Sequence, residues 1–447
     1  MNNIIQVYIT SKNTKDRLTK QEPHFFSQDK NEIEAKLLKI YEDVTYQEIL
    51  GFGGAFTEAA SVTIDKMSDD KKKEILEAYF SLEKGIGYSF LRTHINSCDF
   101  STENYAYDEV EGDYNLEKFS IDRDKKSLIP LIKSAQEASE EGFILFASPW
   151  SPPAWMKTNG QMNEGGKLKD ECKEAWAKYY AKYIKAYKNE GINIWGITVQ
   201  NEPKATQTWD SCVYTAEEER DFVRDYLGPI LQKEGLSDIK IMIWDHNKER
   251  AYDRSKVIYV DEEASKYVYG TAFHWYSGDH FGALDALHHK FPDKKLIFTE
   301  GCVEFGVKLG SWTKGETYGH AIMGDMKNYT SAWTDWNIVL DEIGGPNHVG
   351  NYCDAPIIAE TKINEVFYES SYYYIGHFSK FVRPGAYRIG LSSFSDKLEA
   401  VAFKNKNGEI VTVALNRTDE EIQFNLGTNL GISEFLIPAH SIMTLVY

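Results

Sequence analysis

The sequence of 447 residues predicts a (β/α)₈ barrel, with an antiparallel β-sandwich attached to it, on three observations. Between about residues 47 and 380, an apolar segment, a polar cluster and a helical stretch follow one another eight times. Continuous apolar runs of this length are typical of parallel strands that helices cover. After Pro384, short strand-like segments with turn signals replace the repeat, which indicates a second, β-rich domain.

Eight apolar segments are the candidates for the barrel strands. They are residues 48–56, 87–95, 143–150, 192–203, 239–246, 267–276, 295–301 and 331–340. An open doubly wound sheet is the alternative arrangement, but no G-x-G-x-x-G follows any of these segments, as a dinucleotide site on such a sheet would require.

The segment between the third and fourth predicted strands shows the clearest helical pattern. Apolar side chains at positions 176, 179, 180, 183, 184 and 187 follow the i, i+3, i+4, i+7 spacing of one helix face. Gly191 then supplies a residue that tolerates the left-handed conformation at a helix end.

Both ends of the chain contain strand-like segments. Residues 4–10 and 34–41 alternate or run apolar, and five β-rich segments follow residue 384, two of them joined by a hairpin turn at 404–409. We therefore predict that residues 1–45 contribute strands to the β-sandwich, residues 46–383 form the catalytic barrel, and residues 384–447 complete the sandwich.

Composition limits the partners and the compartment. The net charge of −18 disfavours binding to nucleic acid or to anionic membranes. There is neither a signal-peptide pattern nor an apolar run of 18 residues, so no stable membrane association is expected. Five scattered cysteines without a C-x-x-C pair argue against a disulfide framework or a zinc site, and favour a cytoplasmic location.

Two glutamates stand where the active sites of such barrels form. Glu202 ends the fourth predicted strand and Glu300 ends the seventh, and the C-terminal ends of strands carry the catalytic residues of this fold. A pair of carboxylates is what the hydrolysis of a glycoside requires. The alternative, that each glutamate is a helix cap or a surface residue of its loop, is weakened by the aromatic residues at several strand ends.

Other motifs predict less. Asp245 and His246 end the fifth strand and suit a metal, but no third ligand at metal spacing is evident. The segment GFGGAF lacks the G-K-[ST] of a phosphate loop. No G-x-S-x-G is present, which excludes the nucleophile elbow of the α/β-hydrolases.

Several longer segments resemble the glucosylceramidase branch of glycoside hydrolase family 30. They are GFGGAFTEAA, LRTHINSCDFS, ASPWSPPAWMKTNG, NEPKA, HWYSGDH, TEGC, LGSWTKGETYGHAIMGD, TDWNIVLDEIGGPNHVGNY and IGHFSKFVRPGAYRI. The resemblance runs from about residue 48 to the C-terminus. It implies a barrel with a β-sandwich and a retaining double displacement that needs neither metal nor organic cofactor.

The resemblance also implies roles for individual residues. Glu202 matches the general acid/base and Glu300 the nucleophile, so the pKa of Glu202 is expected to be raised and that of Glu300 to be low. Asn201 matches the amide that binds the sugar 2-hydroxyl, and Tyr276 the tyrosine that hydrogen-bonds the nucleophile. Trp150, Trp336 and Asn351 match residues that line the sugar pocket. Glu58 stands where an aspartate that contacts the sugar is expected.

The predicted function is that of a retaining glycosidase that releases β-linked glucose from small glucosides or oligosaccharides. A β-1,6-glucanase, a β-xylosidase or a β-fucosidase is an alternative within the same family. An inactive sugar-binding barrel is the alternative of a different class.

Overall fold

The computed structural model describes residues 4–27 and 35–447. Residues 1–3 and 28–34 of the predicted N-terminal region lie outside the described residues. The strands are β1 (Ile4–Ser11), β2 (Thr19–Lys20), β3 (His24–Phe25), β4 (Leu37–Glu48), β5 (Gly51–Phe56), β6 (Phe90–Ile95), β7 (Ile144–Pro149), β8 (Gly196–Thr198), β9 (Lys240–Asn247), β10 (Val268–His274), β11 (Lys295–Glu300), β12 (Thr330–Asn337), β13 (Val339–Asp341), β14 (Ile357–Glu360), β15 (Glu365–Tyr368), β16 (Tyr387–Ser393), β17 (Leu398–Lys404), β18 (Ile410–Asn416), β19 (Ile422–Thr428), β20 (Gly431–Ile437) and β21 (Ser441–Val446).

The helices lie mainly between the barrel strands. They are α1 (Glu58–Asp65), α2 (Asp69–Phe80), α3 (Leu128–Ala138), α4 (Lys173–Asn189), α5 (Ala216–Phe222), α6 (Gly228–Lys233), α7 (Ala251–Tyr259), α8 (Glu262–Ser265), α9 (Phe281–Lys290), α10 (Trp312–Lys327) and α11 (Ser370–Ser379). A π-helical turn, Val223–Leu227, joins α5 to α6. Short 3₁₀ segments occupy Asp124–Lys126, Ala154–Met156, Asp170–Cys172 and Lys248–Arg250.

Strands β5 to β12 form a closed barrel of parallel strands, which confirms the predicted fold. Each predicted segment overlaps one of these strands, but the fourth strand is much shorter than expected, with β8 covering only Gly196–Thr198. Apolar side chains from alternating positions fill the interior of the barrel, among them Phe90, Phe146 and Ile297. The barrel is therefore a packed core, and a ligand must bind at one of its ends.

The glycines of β5 allow close packing against the next strand. A Cβ atom added to Gly53 would lie 2.0 Å from the carbonyl oxygen of Phe90 in β6, which is closer than atoms can approach. The glycine-rich segment is thus a structural requirement of the barrel wall.

The helix predicted from 176 to 187 is α4, which is longer by a few residues at each end. Its buried face includes Trp176, Tyr180 and Tyr187. Gly191 has a φ of 82°, the left-handed conformation in which glycine is favoured.

Both ends of the chain meet in one ten-stranded sheet, in the order β2-β1-β21-β18-β17-β16-β4-β19-β20 with β3 paired to β1. The pairs are antiparallel except that between β4 and β19, which is parallel. Strand β20 was not predicted from the sequence. The sheet curls around an apolar core of its own, which includes Ile5, Leu38, Phe424 and Leu445.

Helix α11 joins this sheet to the barrel. Its His377 is fully buried, and the ring nitrogens lie 2.8 Å from the hydroxyl oxygen of Thr444 in β21 and 2.9 Å from that of Thr10 in β1. One histidine therefore links strands from the two ends of the chain. No helix within residues 4–27 and 35–447 has the length and apolarity that a membrane span requires.

Candidate active site

A pocket opens at the C-terminal ends of the barrel strands. Its lining consists of Asp99, Phe100, Trp150, Asn201, Glu202, Gln207, Trp209, His246, Asn247, Tyr276, Glu300, Cys302, Glu304, Trp336, Asn351 and Cys353. The lining contains both predicted catalytic glutamates and all of the predicted substrate-binding residues except Glu58.

Glu300 is the last residue of β11 and is nearly buried. Its Oε2 accepts a hydrogen bond from Nη1 of Arg92 at 2.6 Å, and its Oε1 accepts one from the hydroxyl of Tyr276 at 2.9 Å. Two donors, one within β6 and one just after β10, therefore fix both oxygens of this carboxylate.

Glu202 lies beyond the end of its strand, since β8 stops at Thr198. The chain turns at Glu202, whose φ is 46°, and its backbone N–H donates to the carbonyl oxygen of Asp245 at 2.9 Å. This turn replaces the long fourth strand that the apolar sequence predicted. It brings Oε1 of Glu202 to 3.2 Å from Nδ1 of His274 and to 3.5 Å from Nδ1 of His246.

The same nitrogen of His274 lies 3.9 Å from Oε1 of Glu300. Both glutamates thus lie beside the same imidazole nitrogen. Its other nitrogen, Nε2, lies 3.0 Å from Oδ1 of Asp245. His274 is completely buried at the end of β10 and connects three carboxylates.

Arg92 in β6 holds the opposite side of the pocket. Its Nη2 donates to Oδ2 of Asp245 at 2.8 Å and to Oδ1 of Asn201 at 2.9 Å, and its guanidinium lies 4.7 Å from the ring centre of Trp150. The side chain is fully buried, and the carboxylates of Asp245 and Glu300 compensate for the hydration that its charge loses. The sequence prediction missed Arg92, Asp245 as a structural carboxylate, and His274. Asp245 and His274 lie at or near the ends of β9 and β10, which was the available signal, whereas Arg92 lies inside β6.

Neighbouring charges set the protonation of these groups. Burial lowers the pKa of His274, but Glu300, Asp245 and Glu202 outweigh it and raise that pKa to about 9. Burial raises the pKa of Asp245, but Arg92 and His274 outweigh it and hold that pKa well below its usual range.

The pKa values of the two glutamates are shifted in opposite directions. Burial raises the pKa of Glu202, but His274 and His246 outweigh it and leave that pKa below the ordinary value. Burial raises the pKa of Glu300, and His274 and Arg92 oppose this without cancelling it. These directions are opposite to those expected from the sequence, because a protonated histidine hydrogen-bonds Glu202 directly.

Asp99 lines the pocket, although the sequence prediction did not identify this residue. It follows β6 in the segment CDF, and its Oδ2 accepts hydrogen bonds from the side-chain amides of Asn351 at 3.1 Å and Asn347 at 3.3 Å. Burial, with repulsion from Glu300, raises the pKa of Asp99 to about 8. A carboxyl group with two amide donors on one oxygen leaves the other oxygen for a ligand.

Glu58, in contrast, is not among the residues that line the pocket, and its predicted contact with the sugar stays a prediction. It is the first residue of α1, where its Oε1 accepts from Nε of Arg123 at 2.9 Å and its Oε2 from the backbone N–H of Thr102 at 2.8 Å. Both of its oxygens are therefore occupied by the loop that follows Asp99, so Glu58 supports this loop.

Aromatic rings form the apolar side of the pocket. The rings of Trp150 and Trp336 stack with their centres 5.1 Å apart, and the ring of Phe100 meets Trp336 edge to face. Together with the polar groups opposite, this arrangement suits a flat ligand that carries several hydroxyl groups and one apolar face.

Comparison with known proteins assigns the family. Residues 49–382 match the glycosyl hydrolase family 30 TIM-barrel domain, and residues 385–445 match the glycosyl hydrolase family 30 beta sandwich domain. The chain belongs to glycoside hydrolase family 30. It is therefore a retaining β-glycosidase, whose substrate is a carbohydrate or a glycoside, and the resemblance seen in the sequence is confirmed.

Three relatives illustrate the range of the family. The chain is 37% identical over 430 residues to the lysosomal acid glucosylceramidase of Mus musculus, covering 92% of this chain and 83% of that protein. The structure of SrfJ from Salmonella typhimurium superposes with a TM-score of 0.96 at 39% identity, over 99% of both chains. The endo-β1,6-glucanase BT3312 superposes with a TM-score of 0.89 at 28% identity, also over 99% of both.

Proposed function

We propose that this family 30 enzyme releases glucose from β-glucosides, with Glu300 as the nucleophile and Glu202 as the general acid/base. The observation that carries the proposal is that the two carboxylates line one pocket and lie beside the same nitrogen of His274, with both oxygens of Glu300 fixed by donors. A nucleophile must be held in position before attack, which the hydrogen bonds from Arg92 and Tyr276 accomplish.

In the first step, an oxygen of Glu300 attacks the anomeric carbon while Glu202 gives its proton to the departing glycosidic oxygen. A sugar bound beside Glu202 removes water from the pocket and adds to the effect of burial, which raises the pKa of this carboxyl in the direction that an acid needs. In the second step, Glu202 takes a proton from water, which attacks the glycosyl-enzyme and restores the original anomeric configuration.

The polar groups around the pocket suit the hydroxyls of glucose. Because Oδ1 of Asn201 accepts from Arg92, the amide nitrogen of Asn201 is the group that donates to the sugar 2-hydroxyl. We assign the binding of the more distant hydroxyls to Asp99, whose orientation Asn351 fixes, and the contact with the apolar face of the sugar to Trp150 and Trp336. Because the raised pKa of Asp99 leaves its carboxyl mainly neutral at pH 7, each of its hydrogen bonds to the sugar contributes about 0.5–1.5 kcal/mol.

A β-1,6-glucanase activity is the second candidate. It is supported by the similarity of the whole chain to the endo-β1,6-glucanase BT3312. An aryl β-glucoside and a β-1,6-linked glucose oligosaccharide, compared by kcat/KM, separate the two candidates. We expect the aryl glucoside to be the better substrate. Faster cleavage within long β-1,6-linked chains would favour the second candidate.

Two variants test the assigned roles. Glu300→Ala removes the attacking atom and should lower kcat by about 10⁴-fold or more on every glucoside. Glu202→Ala removes the proton donor, so the rate of cleavage of an alkyl glucoside should fall by about 10²–10⁴-fold. The rate at which the bond to a dinitrophenol leaving group breaks should change little, because that group departs without a proton. Azide should rescue Glu202→Ala with retained configuration. A dependence on the leaving group in Glu300→Ala instead would reverse the assignment.

A cytoplasmic location stays a prediction. The five cysteines are all buried and free, which suits a reducing compartment. Fractionation of the source cells, followed by assay for the glucosidase, checks it.

A further inference from the structure

Three ligand atoms meet beside the proposed acid/base. They are Oε1 of Glu202, Nδ1 of His246 and Nδ1 of His274, and all lie within 4.8 Å of one another. The oxygen of Glu202 is 3.5 Å from the nitrogen of His246 and 3.2 Å from that of His274. A tetrahedral zinc ion with bonds of about 2.0–2.1 Å requires its ligand atoms to be about 3.3 Å apart. The observed spacing therefore needs little adjustment to enclose such an ion.

His274 is already oriented as a metal ligand. Its Nε2 lies 3.0 Å from Oδ1 of Asp245 and its Nδ1 is directed at Glu202, so an ion bound there takes the place of the proton on Nδ1, which is released to water. Asp245 is fixed in turn by Arg92 at 2.8 Å and by the hydroxyl of Thr299 at 2.6 Å. A carboxylate behind a histidine, on the side away from the ion, is the arrangement that holds histidine ligands in zinc proteins.

His246 offers an unused nitrogen. Its Nδ1 is buried, yet it has no hydrogen-bond partner in the part of the chain that the structure describes. Glu202 is its polar neighbour, at a distance too long for a hydrogen bond. A buried acceptor without a donor is unfavourable, and a bound cation would compensate for it.

The charges around the cluster attract a dication. Once the proton of His274 is displaced, this histidine is neutral and three carboxylates surround it, those of Glu202, Asp245 and Glu300, while the guanidinium of Arg92 is the opposing charge that contacts two of them. Because the cluster opens into the pocket, the fourth position of the ion remains available to water. Two histidines, one glutamate and an open position form a ligand set that zinc adopts in other proteins.

The geometry points to an inhibitory zinc site formed by Glu202, His246 and His274. Of the predicted pair Asp245 and His246, only His246 is a ligand of this site, and Glu202 and His274 supply the other two ligand atoms. Inhibition rests on the proposed function, because zinc on Oε1 of Glu202 occupies the lone pair that this residue needs as acid and base. Binding itself does not depend on that role.

The binding experiment titrates zinc chloride into the full chain in competition with a chromophoric chelator. We expect one tightly bound ion per chain. His246→Ala should weaken binding by about 100-fold or more, since it removes one of the three ligands. His246→Gln, which keeps a polar side chain of similar size, serves as a second variant and should show the same loss. Absence of binding, or equal affinity in wild type and both variants, would overturn the site.

Cys302 and Cys353 line the same pocket and are the competing zinc ligands. The matched control is the double variant Cys302→Ser/Cys353→Ser, which should bind zinc with unchanged affinity. Cobalt(II) in place of zinc should give the intense visible bands of a tetrahedral site without a sulfur-to-cobalt charge-transfer band. Loss of binding in the double cysteine variant, or the appearance of that band, would assign the ion to the thiols and contradict the inference.

Inhibition is then measured on an aryl β-glucoside. Zinc should inhibit at the concentrations at which it binds, a chelator should restore the rate, and His246→Ala should need about 100-fold more zinc for half-inhibition. If zinc binds at this cluster without inhibiting, the acid/base role of Glu202 fails while the metal site stands. If zinc does not bind while the dependence of Glu202→Ala on the leaving group is seen, only the metal site fails.

Discussion

Among the fully buried histidines of this protein, one at the mouth of the barrel and one at its junction with the sheet differ in charge. The pKa of His274 is raised to about 9, so its imidazole is protonated at neutral pH. The pKa of His377 is lowered to about 3, so its imidazole is neutral.

Burial acts on both histidines in the same direction, because a charged imidazole loses hydration inside a protein. At the mouth, the carboxylates of Glu300, Asp245 and Glu202 outweigh this loss. At the junction, His377 contacts the hydroxyls of Thr10 and Thr444, which carry no charge. The partners of a buried group, and not its depth, thus decide whether a region of this protein holds charge.

The largest effect should come from removing the strand that covers the neutral histidine. Deleting residues 1–26 takes away β1, with the buried side chains of Ile5, Val7 and Ile9. Each buried aliphatic side chain contributes about 1.5–3 kcal/mol, so the free energy of unfolding should fall by about 5 kcal/mol or more. Chemical denaturation measures the loss.

Thr10→Val is the control for this deletion, since it removes only the hydroxyl beside His377 and should have a much smaller effect. An unchanged denaturation midpoint in the truncated chain would show that β1 adds nothing to the junction.

The next largest effect should follow from weakening the charged cluster at the mouth. Asp245→Asn leaves Arg92 and His274 without one of their carboxylates, and breaking a buried ion pair costs about 3–5 kcal/mol. The pKa of His274 should fall in the direction of the lowered pKa of His377. NMR titration of the imidazole measures this fall.

The buried pair of Lys248 and Asp325, 2.8 Å apart, provides the matched control. Asp325→Asn should cost similar stability without changing the titration of His274. If the two substitutions moved the titration of His274 equally, the local cause proposed for its charge would be wrong.

A smaller effect is expected from acid at the junction. The pKa of His377 is lower in the folded protein than the value of 6.5 that applies after unfolding. The unfolded chain therefore takes up more protons as the pH falls, so the stability present above about pH 6.5 is lost toward about pH 3. At pH 5 the loss should be about 2 kcal/mol relative to pH 7.5.

His377→Gln keeps hydrogen-bonding capacity but does not titrate. The difference in unfolding free energy between wild type and this variant, measured at pH 7.5 and pH 5, isolates the contribution of His377. If this difference were the same at both pH values, the pKa of His377 would not be lowered by folding, and the prediction would be wrong.

The smallest effect is expected at Glu58. Because its carboxylate contacts Arg123 and the loop at Thr102 instead of the pocket, Glu58→Asp should change the glucoside-to-xyloside ratio of kcat/KM by less than about twofold. Asp99→Asn, at the pocket itself, should lower kcat/KM for the glucoside by about 10-fold or more. A larger change in the ratio from Glu58→Asp than from Asp99→Asn would show that Glu58 contacts the sugar.

Local patterns in the sequence were sufficient for most of the architecture. The repeated apolar segments predicted the barrel, and the spacing of aromatic side chains predicted α4. The fourth strand was predicted too long, because the apolar run continues past Thr198 while the backbone turns toward Glu202. The parallel pairing of β4 with β19 and the presence of β20 depend on contacts between distant parts of the chain, which periodicity does not report.

At the active site, the sequence by itself determined which two glutamates end up at the barrel mouth, because parallel strands bring their C-terminal ends to one side. Only the tertiary structure decided that Asp99 and not Glu58 faces the pocket, that Arg92 reaches across from β6 to Glu300, and which histidine carries charge. The physical reason is that electrostatic energies inside a protein depend on separations of a few ångströms between side chains from different strands. Such separations exist only after the barrel has closed.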